Sequence, residues 1–383
     1  VRELVALDLP GGPAFVAALQ RAWDRGDAVL PVDQRLPAPA RRQLLDAARP
    51  HTVVDGAGDR APFEPHAPLL DDGDALVVAS SGSTGTPKLV VHTRAGIVAH
   101  ARAVHEHLAV DPAVDRWLAC LPLAHLGGLG VVLRALVTDT PVDVVPSFDA
   151  AEVAGAPSAR GTTLVSLVPT ALDRLDPTPF RWVVLGGSAD VVVRPANVVH
   201  TYGLTETGGG VVYDGVALPG VTVRVDQGGA IAVGGPTLAR GIRAPDGHVS
   251  PVTGPDGWLA TGDLGAWSGD GRLAVHGRAD DLIVTGGENV WPATVEAAVA
   301  SHPAVAEVAV VGRPDPEWGT SVVAVVVPAT GAAAPSLDDL RSHVRSRLPA
   351  YAAPRRLVVV DALPRTALGK VRRAELAGPT AAQ

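Results

Sequence analysis

Lysine is almost absent from this chain. Of 32 basic residues, only Lys88 and Lys370 are not arginine. Arginine therefore serves wherever a generic surface cation suffices. A retained lysine marks a place where a compact ammonium on a thin stem is needed and a planar guanidinium fork will not do. Cysteine is reduced to Cys120, which excludes an internal disulfide and any cysteine zinc cluster. Charged residues are sparse at 19%, whereas apolar residues reach 47%; that balance supplies a core and argues against disorder. Positive charge is in deficit. A net charge of −8 and a pI near 5.8 speak against nucleic acid as the main partner, which would want a basic face. No apolar run reaches the ~18 residues of a membrane span, and the β-rich run 322–327 is only strand-sized. Residues 1–10 lack the apolar centre of a signal peptide, so a cytoplasmic protein is expected. The 12 histidines show no metal-ligand spacing. Phe and Tyr are scarce while Ala, Val, Gly, Pro and Arg abound, as in a GC-rich genome, which weakens propensity arguments.

At 383 residues the chain exceeds one typical domain, and helical and strand patterns alternate from its start, the mark of an α/β architecture. Residues 15–25 read as an amphipathic helix, followed by a strand at 28–31. A strand at 75–79 runs into a Gly-rich loop. Ile97, Val98, Ala101 and Val104 give a helical stripe over 94–107. A buried strand at 163–168 precedes Pro169, which opens a helix, and another strand covers 181–185. From Val211 onward, short strands alternate with turns such as Asp214-Gly215 and Asp270-Gly271, as in an antiparallel β subdomain. The βα rhythm returns after Gly277, with helices at 292–301 and 337–348 and strands at 305–312, 321–327 and 356–360. The expected fold is α/β: a large N-terminal domain of mixed sheets and helices with an antiparallel β subdomain (1–279), then a small mobile α+β C-terminal domain (280–383).

Each lysine closes a glycine-bearing segment. Ser80-Ser81-Gly82-Ser83-Thr84-Gly85-Thr86-Pro87-Lys88 follows a strand and is expected to precede a helix, where backbone amides and a helix N-terminus cradle phosphates. The hydroxyls of Ser81, Ser83 and Thr84 can donate to phosphate oxygens, Gly82 and Gly85 let the backbone approach, and Lys88 supplies charge. A Walker A motif needs Gly-Lys followed by Ser or Thr, and Pro87-Lys88-Leu89 stands here instead. Taken alone, the segment is also compatible with a polar turn.

The segment resembles the signature loop of the adenylate-forming superfamily: acyl-CoA synthetases, nonribosomal peptide adenylation domains and luciferases. Four further stretches match that family's motifs in the same order. They are Tyr202-Gly203-Leu204-Thr205-Glu206-Thr207, Thr261-Gly262-Asp263, Gly277-Arg278 through Gly286-Gly287-Glu288-Asn289-Val290, and Leu363 to Lys370. The match runs from residue 75 to 376. The resemblance implies ATP, Mg²⁺ and coenzyme A as ligands and a small-molecule carboxylic acid as substrate. It implies an ATP site of Ser81, Gly82, Ser83, Thr84, Gly85, Lys88, Gly186, Gly187, Ser188, Thr201, Tyr202, Gly203, Thr205, Asp263, Arg278 and Lys370. In the family, the tyrosine packs on adenine, Thr205 bonds the α-phosphate, Glu206 helps hold Mg²⁺, and Asp263 accepts the ribose hydroxyls. Lys370 would bridge the substrate carboxylate and the α-phosphate, where positive charge in a closed site is worth far more than in water. Asp280 matches the hinge, and Gly286-Gly287 the loop presented to the thiol tunnel. His125, in Pro122-Leu123-Ala124-His125-Leu126-Gly127-Gly128, matches a position beside the acyl pocket. Blander readings stay open: a Gly-Asp turn at Asp263, a solvated Arg278, a turn aspartate at Asp280 and a structural histidine at a helix start.

The loop motif begins near residue 80, earlier than in most members of that family. Residues 201–215 with Pro219-Gly220-Val221 are similar to compact actinobacterial ligases that activate the aliphatic carboxylate of an aromatic keto acid. Gly208, Gly209 and Gly210 would then leave room for an aryl group. Two rivals remain: a ligase for another aryl or medium-chain acid, and a stand-alone adenylation module that loads a carrier protein. No nucleic-acid or membrane partner is expected, and a homodimer is left open.

Overall fold

The computed structural model describes residues 2–58, 60–80, 87–187, 194–365 and 371–378. It is a mixed α/β protein of two compact units. The larger takes Val1–Arg224, Ile231–Thr261 and Trp267–Leu273; the smaller takes Val225–Ala230, Gly262–Ala266 and Ala274–Gln383.

The larger unit holds two sheets. In the first, strands Leu4–Leu7, Ala28–Pro31 and Thr52–Val54 run parallel, connected through helices Pro13–Asp24 and Ala38–Ala48. All four residues of Leu4–Leu7 are buried, as expected of a parallel strand covered on both faces. Asp74–Ser80 adds parallel to Ala28–Pro31, and Lys88–Thr93 pairs antiparallel with it. The second sheet sets Trp117–Ala119, Val142–Val144, Leu164–Leu167, Trp182–Leu185 and Val198–Leu204 in parallel, with Gly209–Tyr213 folded back antiparallel on Val198–Leu204. Its main crossovers are the apolar helix Leu126–Thr138 and helix Ala150–Arg160. Ligands of such open sheets sit at the carboxyl ends of the parallel strands, and Gly186, Thr205 and Glu206 all follow such ends.

Three sequence expectations need correction. The loop ending at Lys88 leads into a strand, not a helix: Ser80 faces Lys88 in antiparallel register, and the helix begins only at Arg94, capped by the Thr93 hydroxyl accepting the Gly96 N–H at 3.1 Å. Leu-Val-Val after Lys88 favours a strand, so no helix N-terminus follows the loop directly. The turn-rich region after Val211 is not one subdomain. Gly241–Arg243 pairs with Lys88–Thr93 in the first sheet, while Gly209–Tyr213 and Val216–Ala217 extend the second. Only Thr222–Val225, Ala230–Gly234, Leu259–Trp267 and Leu273–Arg278 form a separate sheet of four strands. Free sheet edges accept any strand of matching register, and the local turn pattern does not say which. The helix expected over 337–348 ends at Arg345, whereas Pro169 opens a helix as expected, the short Pro169–Leu172.

In the smaller unit a long antiparallel hairpin, Val305–Asp315 with Gly319–Pro328, takes Arg356–Val359 in parallel on one edge. Side chains alternate as a period-two strand dictates. Val322, Ala324 and Val326 pack with Val295, Val299 and Leu340 from helices Pro292–Ala300 and Leu337–Arg345. Val323 and Val325 face a second cluster with Leu363 and Leu376.

Candidate active site

Glu206 sits on a single 3₁₀ turn, Thr205–Thr207, at the end of strand Val198–Leu204. Thr207, fully buried, fastens the turn. Its hydroxyl accepts the Leu204 N–H at 2.8 Å and lies within hydrogen-bond reach of the Leu204 and Gly209 carbonyls. Gly203 is obligatory, because a Cβ there would come within 2.0 Å of the Gly209 carbonyl. The turn thus holds Thr205 and Glu206 in a fixed pose. Lys88 reaches this turn from the neighbouring sheet, its Nζ 2.5 Å from Glu206 Oε1, although the two residues are 118 positions apart. Thr201 is buried, and its hydroxyl donates to the Leu185 carbonyl at 3.1 Å, which ties Val198–Leu204 to the residue before Gly186-Gly187. Tyr202 is half-buried on the same strand.

Behind the turn lies a cavity of about 10 Å³, bounded by His92, His100, Leu133, Arg134, Gly208 and Thr237; it has room for about one water. Gly208 and Gly209 both have positive φ, at 82° and 121°, and the ring of His100 is 3.5 Å from where a Gly209 Cβ would stand. The glycines expected to open the pocket are therefore also required by the backbone. Burial pushes His92 and His100 down to about 4, so both rings are neutral near pH 7. His100 Nε2 meets the Gly210 carbonyl at 2.9 Å.

Arg134 is the residue that sequence reasoning missed. Its side chain is buried, its Nη2 donates to Ser166 Oγ at 3.1 Å, and its guanidinium lies 4.6 Å from the Trp117 ring centroid. Among the described residues its Nε has no hydrogen-bond partner. No carboxylate pairs with it among the described residues, and burial acts against its charge. Its neighbours His100 and His105 are themselves held neutral, first by burial and then by the Arg134 charge. Buried charges are normally paired, since a lone one costs several kcal/mol. A signal was present in the sequence: Arg134 is the only charged residue of the otherwise apolar helix Leu126–Thr138.

His125 precedes that helix, and its Nε2 lies 3.1 Å from Asp33 Oδ2. Burial alone would raise the Asp33 carboxyl. Hydrogen bonds from His125 and Arg35, with the Arg35 charge, outweigh it and hold the group well below the usual carboxylate range.

Within the smaller unit, Asp263 is buried and pairs with Arg278, Nε to Oδ1 at 3.1 Å. Arg278 is half-exposed, so neither the purely solvated arginine nor the bare turn aspartate describes the pair. Asp280 is exposed on the 3₁₀ turn Ala279–Asp281. Gly286 and Gly287 link the paired strands Ile283–Thr285 and Glu288–Val290, with φ of 58° and 85°. That is the two-residue turn with both centres left-handed, which favours glycine. A Cβ on Gly286 would also meet the Trp318 ring at 2.7 Å. Ser81, Gly82, Ser83, Thr84, Gly85, Ser188 and Lys370 lie outside the described residues.

The chain is similar to known proteins over most of its length. Residues 55–242 match the AMP-binding enzyme family, and residues 294–370 match the AMP-binding enzyme C-terminal domain. A probable 2-succinylbenzoate–CoA ligase of Mycobacterium tuberculosis is 43% identical over 400 aligned positions, covering 97% of each chain. An indoleacetate–CoA ligase of Aromatoleum aromaticum is 34% identical, covering 97% of this chain and 87% of its own. Among solved structures, o-succinylbenzoate CoA synthetase of Bacillus subtilis, in complex with the acyl-adenylate intermediate OSB-AMP, superposes with a TM-score of 0.84 at 26% identity. The likeness covers 100% of this chain and 90% of the other. The same synthetase has been solved with ATP and a magnesium ion. This chain belongs to the AMP-binding, adenylate-forming enzyme family. It is an acid–thiol ligase of the acyl-CoA synthetase class.

Proposed function

We propose that the chain joins 2-succinylbenzoate to coenzyme A through an acyl-adenylate, in menaquinone biosynthesis. The observation that carries the choice of acid is Arg134, a buried cation at the wall of the cavity beside Gly208, with no carboxylate partner among the described residues. 2-Succinylbenzoate has two carboxylates. The aliphatic one is activated, and the aromatic one stays anionic inside the protein, where it needs a buried cation. The M. tuberculosis relative supports the same acid. Pyrophosphate release tests it: kcat/KM for 2-succinylbenzoate should exceed that for 4-oxo-4-phenylbutyrate, the same acid without the aromatic carboxylate, by at least about 100-fold. Equal values would reject the assignment. The indoleacetate ligase relative favours a second reading, an aryl acid with a single carboxylate, and the same assay with indoleacetate decides between them. Thioester formation with free coenzyme A separates both from a module that loads a carrier protein.

The reaction has two displacements. An oxygen of the aliphatic carboxylate attacks the α-phosphorus of ATP; that O–P bond forms as the bond to pyrophosphate breaks. The thiol sulfur of coenzyme A then attacks the acyl carbon, the C–O bond to AMP breaks, and the thiol proton is released. Lys88, with the hydroxyls of Ser81, Ser83 and Thr84, holds the phosphates, Thr205 bonds the α-phosphate, and Lys370 bridges it to the attacking carboxylate. Asp263 takes the ribose hydroxyls, with Arg278 alongside. Glu206 fits Mg²⁺, a hard cation that uses one or two carboxylates and takes its remaining oxygens from phosphates and water. When bound, the ion spreads the negative charge of the triphosphate. A phosphate arriving at Lys88 exchanges its ion pair with Glu206 for one with the ligand, which frees the Glu206 carboxylate. The solubility of all three substrates supports a cytoplasmic enzyme.

The same reading makes Asp280 the hinge of the region 280–383, which serves adenylation and thioesterification in different orientations. Asp280→Pro, with φ fixed near −65°, should lower thioester formation at least about tenfold while adenylation stays within about twofold. Stopped assays of pyrophosphate and of acyl-CoA measure the two separately. A matched loss in both would remove the hinge.

A further inference from the structure

We propose that Glu296 is a positioning residue for adenylate formation, acting through Arg373 on the chain that carries Lys370. The inference rests on the reading of Lys370 given above. Both flanks of that lysine are tied down within the smaller unit. The two flanks are joined to each other: Arg365 and Val371 form an isolated β-bridge, and the Arg372 N–H donates to the Pro364 carbonyl at 2.8 Å. Arg365 is also paired with Glu307 at 2.5 Å. On the far side begins helix Arg373–Ala377, only five residues long. A helix this short does not hold itself together in water, so its place is set by what it is fastened to.

Three fastenings are seen. Leu376 is buried against Ala309, Val311, Val323 and Val325. Its carbonyl accepts from buried Arg313 twice, at 3.2 Å from Nε and 2.7 Å from Nη2. Arg373 Nη2 reaches both oxygens of Glu296, at 2.7 and 2.8 Å. Glu296 is the busiest of these groups. It stands on helix Pro292–Ala300 with its side chain only 18% exposed, and its Oε1 also accepts the Val310 N–H at 2.8 Å. One carboxylate thus joins a helix, the central hairpin and the third residue after Lys370.

Leu376 and Arg313 secure the end of the helix, six residues beyond the lysine. Val371 packs beside Leu376 on the same apolar cluster, and among the described residues the Glu296–Arg373 pair is the ion pair nearest to Lys370 on that flank that reaches outside the short helix. Displacing a reacting group by about 1 Å costs about 100-fold in rate, so this pair governs where the ammonium can reach without touching substrate itself. Nothing in such a tether concerns the thiol step, which makes the two half-reactions respond differently.

The test measures both half-reactions in the full-length enzyme for Glu296→Ala, Arg373→Ala and the double variant. Each single variant should lower kcat for adenylation at least about tenfold with KM for ATP and acid within about twofold. Thioester formation from added acyl-adenylate should stay within about twofold. The double variant should lose no more than either single one, as expected of partners in one interaction. Arg372→Ala, which removes an exposed pair with Glu375, should leave both steps unchanged. Parallel loss of both half-reactions, additive losses, or a raised KM with unchanged kcat would each overturn the proposal. If Glu296→Ala does not fold, Arg373→Ala carries the test alone, since it leaves the Glu296 bond to Val310 in place. Lys370→Ala run alongside separates the two ideas. Adenylation surviving that change overturns the role of Lys370; its loss there, with none in Glu296→Ala and Arg373→Ala, overturns only the tether.

Discussion

Lys370→Ala should lower adenylate formation about 100- to 1,000-fold, the range set by removing one electrostatic stabiliser of a transition state. Thioester formation from pre-made acyl-adenylate should change by no more than about threefold, because the α-phosphate chemistry is already complete. The carboxylate and the α-phosphate both carry negative charge and must come into bonding distance. A cation between them counts most as the new O–P bond forms, so the loss should fall on kcat. Lys370→Arg should restore little. In a chain whose basic residues are otherwise arginine except at Lys88, a guanidinium would stand here if its broad fork were tolerated. Pyrophosphate exchange and single-turnover thioester assays on one preparation give both numbers. Equal loss in the two would remove Lys370 from the adenylation step.

Much of this was legible in the residues, for physical reasons that differ from case to case. The parallel strands showed themselves as short apolar runs because both their faces are covered; Leu164–Leu167 and Trp182–Leu185 fall almost where the pattern puts them. The hairpin of the smaller unit showed through its valines. The strand after Lys88 did not, because Pro87 and the glycines before it suit a hairpin as well as a strand-to-helix turn, and the deciding partner, Gly241–Arg243, lies 150 residues on. The resemblance of the Tyr202–Thr207 stretch to the family's motif pointed to Glu206. Its ion pair with Lys88 was not legible, since it depends on two sheets meeting. Thr207 could not be told from any other threonine, as its role is to satisfy the backbone of a turn seen only when folded. The Gly286-Gly287 pair carries a second message beside its motif: two left-handed residues in a tight turn. Arg134 was visible as a lone charge in an apolar helix, but its lack of a carboxylate partner is a fact of packing.

That lack leads to the other large effect. Arg134→Leu should reduce kcat/KM for 2-succinylbenzoate about 100- to 1,000-fold, because leaving one partner of a buried ion pair uncompensated costs about 3–5 kcal/mol. The loss should belong to that acid alone. With 4-oxo-4-phenylbutyrate the variant should match or surpass the parent enzyme, since no anion then seeks the missing cation and a leucine suits the apolar ring. Discrimination between the two acids should therefore collapse. Stability should move in the opposite direction from activity. In the free enzyme Arg134 bears its charge among neutral His100 and His105, with Ser166 and the Trp117 face to receive it among the described residues. Replacing it by an apolar side chain relieves that burial, so Tm should hold or rise by a few degrees. Added 2-succinylbenzoate should raise the Tm of the parent and leave that of the variant unchanged. A structural arginine would give the reverse: a falling Tm and a uniform loss with every acid. That outcome would return Arg134 to the core and leave the aromatic carboxylate without a partner in this protein.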